Sequence, residues 1–246
     1  LSPSSAASDV YKRQPLATSL GYTSMDENIG ALRNTGFEID LKGTLIHTRD
    51  FMWRMGVNLT HYKNVVTDLP LDDMPITGVT RLKVGRSVYD FYLREWAGVN
   101  PDNGDPLWYK DVKDAQGNVT GRTTTNDYAQ ADYYYVDKSS LPKVYGGFNT
   151  AFSYKGFELS AIFAYSIGGY IVDRDVTMLW SNGSNPGRAW STEILKRWTP
   201  ENRNTDVPAL KTVSNSWNSN STRNLFNNSY LRMKNCLLYT SPSPRD

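Results

Sequence analysis

The clearest pattern in the chain runs from Pro142 to Asp173, where apolar and polar positions alternate on either side of a short turn at Tyr154-Lys155-Gly156. After the turn, Phe157, Leu159, Ala161, Phe163 and Tyr165 share one parity. Glu158, Ser160 and Ser166 share the other, with Ile162 and Ala164 between them. Before the turn, Val144, Phe148, Phe152 and Tyr154 alternate with Asn149, Ala151 and Ser153. A period of two is the signature of a strand with one apolar face. Each arm approaches the ~9–11 residues that a tilted membrane-spanning strand needs, whereas strands of soluble sandwiches are nearer ~5–6.

A second hairpin of the same build spans Gly36 to Tyr62. Phe37, Ile39, Leu41 and Leu45 alternate with Glu38, Asp40, Lys42 and Thr44. After a turn at His47-Thr-Arg-Asp50, Phe51, Trp53, Met55, Val57 and Leu59 alternate with Arg54, Asn58, Thr60 and Tyr62. Glu38, Asp40, Lys42 and Arg54 all fall on the polar parity. Charge is tolerated on the lumen face of a membrane barrel and costly on its lipid face. The pattern therefore predicts that Ile39, Leu41, Trp53, Val57, Phe157, Leu159 and Phe163 face lipid. It places Glu38, Asp40, Lys42, Arg54, Asn149 and Glu158 toward the lumen.

Between these hairpins the alternation fades. Residues 15–35 read as a polar loop entering the first long strand. Residues 64–142 hold only short strand-like pieces, at Arg81–Val84 and Val88–Leu93, and turn clusters at Asn100–Pro106 and Asp114–Asn118. Residues 174–228 are again irregular, and a last strand starts near Ser229. Barrels of this kind have short periplasmic turns and long extracellular loops. The two short turns then lie on the periplasmic side. Both long stretches begin and end outside, with an even number of crossings in each, zero included.

Composition narrows the picture. The chain has 246 residues, a net charge of +2 and 13% aromatic residues. No basic stripe argues for a nucleic-acid partner. No apolar run approaches the ~18 residues of a membrane helix, a test that barrel strands escape because half of each faces a polar lumen. Cys236 is the single cysteine, which excludes an internal disulfide and a cysteine-rich zinc site. Residues 1–14 and 236–246 read as foreign to the domain, in the manner of translated sequencing adapters, and Pro242 and Pro244 cannot continue a central strand. The expected domain is 15–235.

Several dispersed blocks then carry a resemblance: Asn34-Thr-Gly-Phe-Glu-Ile39, Asp50-Phe-Met-Trp53, the stretch Tyr89 to Tyr109 (YDFYLREWAGVNPDNGDPLWY), Leu141-Pro-Lys-Val-Tyr-Gly-Gly-Phe148 and Ser229-Tyr-Leu-Arg-Met-Lys-Asn235. In kind and order they resemble the late barrel of SusC/RagA-type TonB-dependent outer-membrane transporters. The resemblance covers about residues 15–235. It finds no counterpart for a signal peptide, TonB box, plug, early barrel or aromatic-terminated last strand. It implies an all-β chain: an antiparallel transmembrane β-barrel fragment, an open curved sheet from a barrel of about 22 strands. It also implies an outer-membrane location and energy-coupled import of a glycan or peptide. The implied partners are a SusD-type surface lipoprotein, TonB acting through the missing plug, and outer-membrane lipid. A passive porin or structural outer-membrane barrel, and a soluble glycan-binding β protein, are the alternatives.

The functional candidates are aromatic. Trp96, Trp108, Tyr109, Trp180, Trp190 and Trp198 lie in the long loops, where rings either stack on substrate or partner, or pack the loops themselves. Tyr133-Tyr-Tyr135 has the same two readings. Asp102, Asn103 and Asp105 crowd one turn without the spacing of a calcium loop, and turn chemistry accounts for them. His47 and His61 have no nucleophile beside them in a recognisable motif. No catalytic residue, metal ligand or cofactor is expected, so the chain reads as non-enzymatic.

Overall fold

The computed structural model describes residues 2–15, 24–71, 74–180, 187, 189–211 and 216–240. In chain order the strands are β1 (Ser2–Pro15), β2 (Ser24–His47), β3 (Phe51–Asp68), β4 (Asp90–Arg94), β5 (Trp96–Val99), β6 (Pro106–Lys113) and β7 (Val119–Thr125). There follow β8 (Tyr133–Ser139), β9 (Val144–Tyr154), β10 (Phe157–Ile167), β11 (Tyr170–Val172), the helical turn α1 (Arg174–Leu179), β12 (Leu225–Asn227) and β13 (Tyr230–Thr240). The long strands make one antiparallel sheet in the order β1-β2-β3-β9-β10-β13. Every neighbour in that sheet is the next long strand in the chain. The excursions 69–143 and 168–229 therefore add no strand to it, and each leaves and re-enters at the same end.

Register places the side chains as the alternation predicts. Ile39, Leu59 and Gly146 lie in one row across the sheet; Leu41, Val57, Phe148 and Phe163 lie in the next, and Trp53, Phe152 and Leu159 in another. Residues directly opposite share a face, so these rows form one apolar surface. Phe148 and Phe163 stack at 4.5 Å and Trp53 and Phe152 at 5.5 Å. The Trp53 indole N–H donates to Thr150 Oγ1 at 2.9 Å, which satisfies both polar groups on that surface. The opposite face carries Glu38, Asp40, Lys42, Arg54, Asn149 and Glu158, with Arg54 reaching Glu158 at 3.2 Å. Leu41 and Leu238 remain 66% and 67% exposed; a water-soluble sheet would cover such residues.

Three features depart from the sequence reading. First, β2 begins at Ser24, so the part of the expected loop from 24 to 35 is strand. Gly30, read as loop punctuation, and Gly36, at the start of the expected strand, sit where a Cβ would collide with the carbonyl oxygens of Asp68 and His61. In a strand, glycine marks such a close backbone approach. Second, β3 continues past Tyr62 to Asp68. Its outer end is held by Val66, whose N–H donates to the Arg86 carbonyl at 2.8 Å. Buried Asn64 helps, donating to Asn34 Oδ1 at 2.7 Å and accepting from Ser87 and Val88. Third, a bulge between Thr44 and Ile46 puts Ile46, not Leu45, opposite Trp53. The extra residue shifts parity and hands the apolar position to its neighbour.

Both short turns lie at the end of the sheet away from the excursions. Lys155 and Gly156 have φ of 43° and 84°, the positive values that a two-residue hairpin matched to strand twist requires. Of the segments read as foreign, residues 2–14 lie in β1 and 236–240 complete β13. Pairing reports on their backbone and not on their origin. A bulge at Lys234 keeps Cys236 and Leu238 in line with the apolar row of Ala161 and Leu159. β1 and β13 leave two unpaired edges, so the sheet is open.

A paired substitution on β10 tests the face assignment. In the full-length parent reconstituted in liposomes, Ala161→Arg is expected to cost up to about 2–4 kcal/mol, the value for arginine at the lipid midplane, and Ile162→Arg under about 1 kcal/mol. The folded fraction, read from the mobility of unheated barrel on gels, decides; equal losses would contradict the register.

Candidate functional site

The two excursions fold together into a cap over one end of the sheet. Long loops cannot use the barrel lumen as a core, so they build one of their own. Trp108, Ala131, Val207 and Trp217 form it, with Trp96, Tyr128, Trp180 and Ile194 packed around them. Trp108 is fully enclosed, and Trp96 and Tyr128 meet it edge-to-face at 5.6 and 5.3 Å. One buried indole removes about 200 Å² of mostly apolar surface from water, about 5 kcal/mol at 25 cal/mol per Å². The segments are joined by β5-β6-β7 and β4-β8, and by a parallel bridge from Arg94 to Ser221.

Cations clamp the rings. Arg94 lies between Tyr128 and Tyr133, at 4.1 and 4.4 Å from their centroids, and donates to the Ala131 carbonyl. Arg122 lies between Tyr109 and Tyr134, at 4.4 and 4.2 Å, and pairs with Glu95 at 2.7 Å. Burial, together with its donated bond to Asp111, pushes the Tyr134 phenol up to about 12. Arg223 faces three indoles at once: Trp180 at 4.1 Å, Trp217 at 4.9 Å and Trp96 at 5.3 Å. Burial pushes its guanidinium down to about 10, still charged at neutral pH. Such contacts are worth about 0.5–1 kcal/mol each when exposed and about 2 when desolvated.

The turn at 100–106 is closed by its own side chains. Asn100 and Asn103 accept from the backbone of Asp102 and Asp105, and Gly104, at φ 72°, donates to the Asn100 carbonyl. A Cβ on Gly104 would lie 2.6 Å from the Ala209 methyl and 2.7 Å from the Trp198 ring, so only glycine fits. The Trp198 indole donates to the Pro101 carbonyl at 3.0 Å. Asp105 takes hydrogen bonds from Lys211, Asn126 and Asn103. Those partners use its oxygens, and no group of metal-ligating side chains occurs among the described residues. Burial alone would raise the Asp105 carboxyl, but its donors, Lys211 first, outweigh that and hold it below the usual range.

The sequence candidates therefore separate. Trp96, Trp108 and Trp180 come together with Trp217 around Arg223, Tyr109 lies on the opposite side of β6 from Trp108, and Trp198 braces the 100–106 turn. Trp190 follows α1, where Ser191 N–H donates to the Leu179 carbonyl. Trp108 has no exposed surface, so its reading as a contact residue is corrected: it packs the cap, and only its neighbours face outward. The three arginines were missed, whereas Trp217 was already legible as a loop aromatic. Only folding sets Arg223 against Trp96. Beside the core opens a cleft of about 710 Å³ lined by Gly98, Lys196, Asn202, Asn204, Thr205 and Asp206, an amide- and hydroxyl-rich wall.

No family model matches the sequence. Among curated proteins, the chain is 28% identical over 240 residues to TonB-dependent receptor P3 of Formosa agariphila, covering 92% of this chain and 23% of that protein. It is 29% identical over 171 residues to TonB-dependent receptor SusC of Bacteroides thetaiotaomicron, covering 64% and 16%. Among solved structures, the RagAB peptide transporter matches with a TM-score of 0.75 at 31% identity, over 91% of this chain and 24% of that one. The chain is a SusC/RagA-type barrel segment. A second RagAB structure, in the closed-closed state, matches at 0.77 and 29% over 96% of this chain and 26% of that one. The segment spans about a quarter or less of the length of these relatives.

Two outcomes follow for the cap in the full-length parent. Trp108→Ala is expected to destabilise it by about 3–5 kcal/mol, the usual cost of emptying a buried indole site, read as faster amide exchange in 96–131 and 207–224. Asp105 has its folded pKa depressed, so its stabilising contribution is complete above the unfolded value of about 3.9 and disappears as pH falls through the lower folded value. Trp198 emission should hold its neutral-pH position down to about pH 4 and shift below it. In Asp105→Asn that acid step should be absent.

Proposed function

We propose that the parent of this chain is an energy-coupled outer-membrane importer of glycans or peptides. This segment supplies part of its lumen wall and extracellular cap. The observation that carries the reading is the pairing of an apolar outer face on a next-neighbour antiparallel sheet with an aromatic cap at one end, in a chain matched to RagAB over most of its length. Lipid covers the apolar face, with the short turns in the periplasm and the cap outside. The cap meets a SusD-type surface lipoprotein that delivers substrate, and TonB pulls on a plug that belongs to the rest of the parent. Trp96, Tyr109, Trp180, Trp190 and Trp198 are the surfaces offered to substrate or partner. All five rings are half-buried, and those of Trp96, Tyr109, Trp180 and Trp198 are held by an arginine or a backbone carbonyl, so little conformational entropy is lost on binding. The segment performs no chemistry on the substrate.

Uptake by cells carrying the full-length parent tests this. Import of labelled oligosaccharide or peptide is expected to stop when TonB or the proton gradient is removed, whereas a passive porin would continue. Trp96→Ala and Trp198→Ala are expected to lower uptake or co-purification of the lipoprotein several-fold while barrel yield is kept. Parental uptake in both variants would remove these rings from the binding surface.

A further inference from the structure

Among the described residues, Arg223 is the guanidinium of the cap with a buried nitrogen that no partner satisfies. Arg94 and Arg122 also lie between rings, but each donates to a carbonyl or a carboxylate. The Arg223 guanidinium makes no hydrogen bond or ion pair with any described residue, and its Nη1 is buried. The nearest acids act only through space: Glu193 is held by Lys196 at 2.9 and 3.1 Å, and Asp206 stands on the wall of the polar cleft. Residues 181–186 and 212–215, adjoining Trp180 and Trp217 in sequence, contain no aspartate or glutamate. The indole N–H groups of Trp108 and Trp217 are likewise buried without an acceptor. Buried donors normally have partners, and a buried charge without one is costly. Three ring faces compensate the charge from the side but cannot accept the in-plane N–H groups of the fork.

We propose that Arg223, framed by Trp96, Trp180 and Trp217, is a seat for a carboxylate carried by the imported oligomer. A planar fork inside a water-excluding aromatic frame matches a carboxylate in shape and charge. The half-exposed Trp96 and Trp180 rings offer stacking surface to the unit that bears the acid, while buried Trp217 backs the seat, and the neighbouring cleft offers amide and hydroxyl partners to the units beyond it. The segments that carry Trp96 and Arg223 are tied together independently of that charge: Trp96 N–H donates to Thr222 Oγ1 at 2.9 Å, one residue before Arg223. The inference rests on the importer reading and adds the charge class of the substrate. Two sources share this chemistry, a uronic-acid unit of a glycan and the free C-terminus of a peptide.

Binding to the purified full-length transporter is measured by calorimetry with two matched pairs: an oligouronate against its carboxyl-reduced form, and a tetrapeptide against its C-terminal amide. The acid is expected to bind tighter by roughly tenfold or more in one pair, since a charge-assisted bond contributes about 1.5–3 kcal/mol and 1.4 kcal/mol is tenfold. The pair that shows it names the source. In Arg223→Gln the ratio of acid to neutral affinity should fall to about unity; Arg223→Lys, which keeps charge but not the fork, should retain part of it. No acid preference in the unsubstituted protein would overturn the proposal, whether or not the variants fold. So would a preference that survives Arg223→Gln, or equal loss for acid and neutral ligands, which is what a packing role predicts. TonB-dependent uptake of neutral ligand alongside any of these results would leave the importer reading standing.

Discussion

Register between neighbouring long strands is the constraint on which the rest of the molecule depends. In hydrocarbon every backbone N–H and C=O must be satisfied within the sheet, and each side chain takes its face from its strand position. The β3–β9–β10 register is over-determined at the outer half of the sheet. A Cβ on Gly146 would collide with the Asn58 carbonyl, so the strands come together only where glycine stands. Tyr165 pairs with Gly146 and donates to the Asn58 carbonyl at 2.9 Å, while Asn58 Oδ1 accepts from Gly147 N–H at 2.8 Å. A slip of one residue would break these contacts and move Glu158, Arg54 and Asp40 into lipid.

The cap inherits its position from that register but not its stability. It leaves β3 and β10 at one end of the sheet and returns to the adjacent strands, so its two excursions must pack against each other. Trp108 comes from the first and Trp217 from the second, and both are buried in one core. Arginines between aromatic rings do at the rim what aliphatic side chains do inside. They bury their stems and ring faces while keeping charge partly hydrated. A surface so built is rich in half-exposed rings that its own contacts hold in place. Its strongest unspent donor is Arg223.

How much of this was legible beforehand differs from residue to residue. The hairpins at 36–62 and 142–173, their faces and the side of the sheet on which their turns lie follow from period-two alternation. That signal is local: each residue's neighbours in sequence report its face, and Lys155-Gly156 names its own turn. The family resemblance also rests on sequence, and the chain is 28–31% identical overall to relatives that it matches. The ends of β2 and β3 were not legible, because Gly30 and Asn64 resemble loop residues until the partner strand that needs them is in place. The parity shift at Leu45 was hidden for the same reason, since a bulge is defined only against the opposite strand.

In the cap the balance reverses. Sequence marked Trp96, Trp108, Tyr109, Trp180, Trp190 and Trp198 as aromatic but could not divide packing from presentation. That division is made by which rings end up beneath others: Trp108 beneath Trp96 and Tyr128, and Trp180 beside Arg223, 43 residues further along the chain. Loop cores are assembled from residues far apart in sequence, with no repeating period to announce them. What the sequence by itself determined was the sheet, because alternation is a short-range code read against a two-faced solvent. What only the tertiary structure decided was the cap, because burial, cation–ring clamps and the unpaired Arg223 guanidinium depend on which distant segments meet.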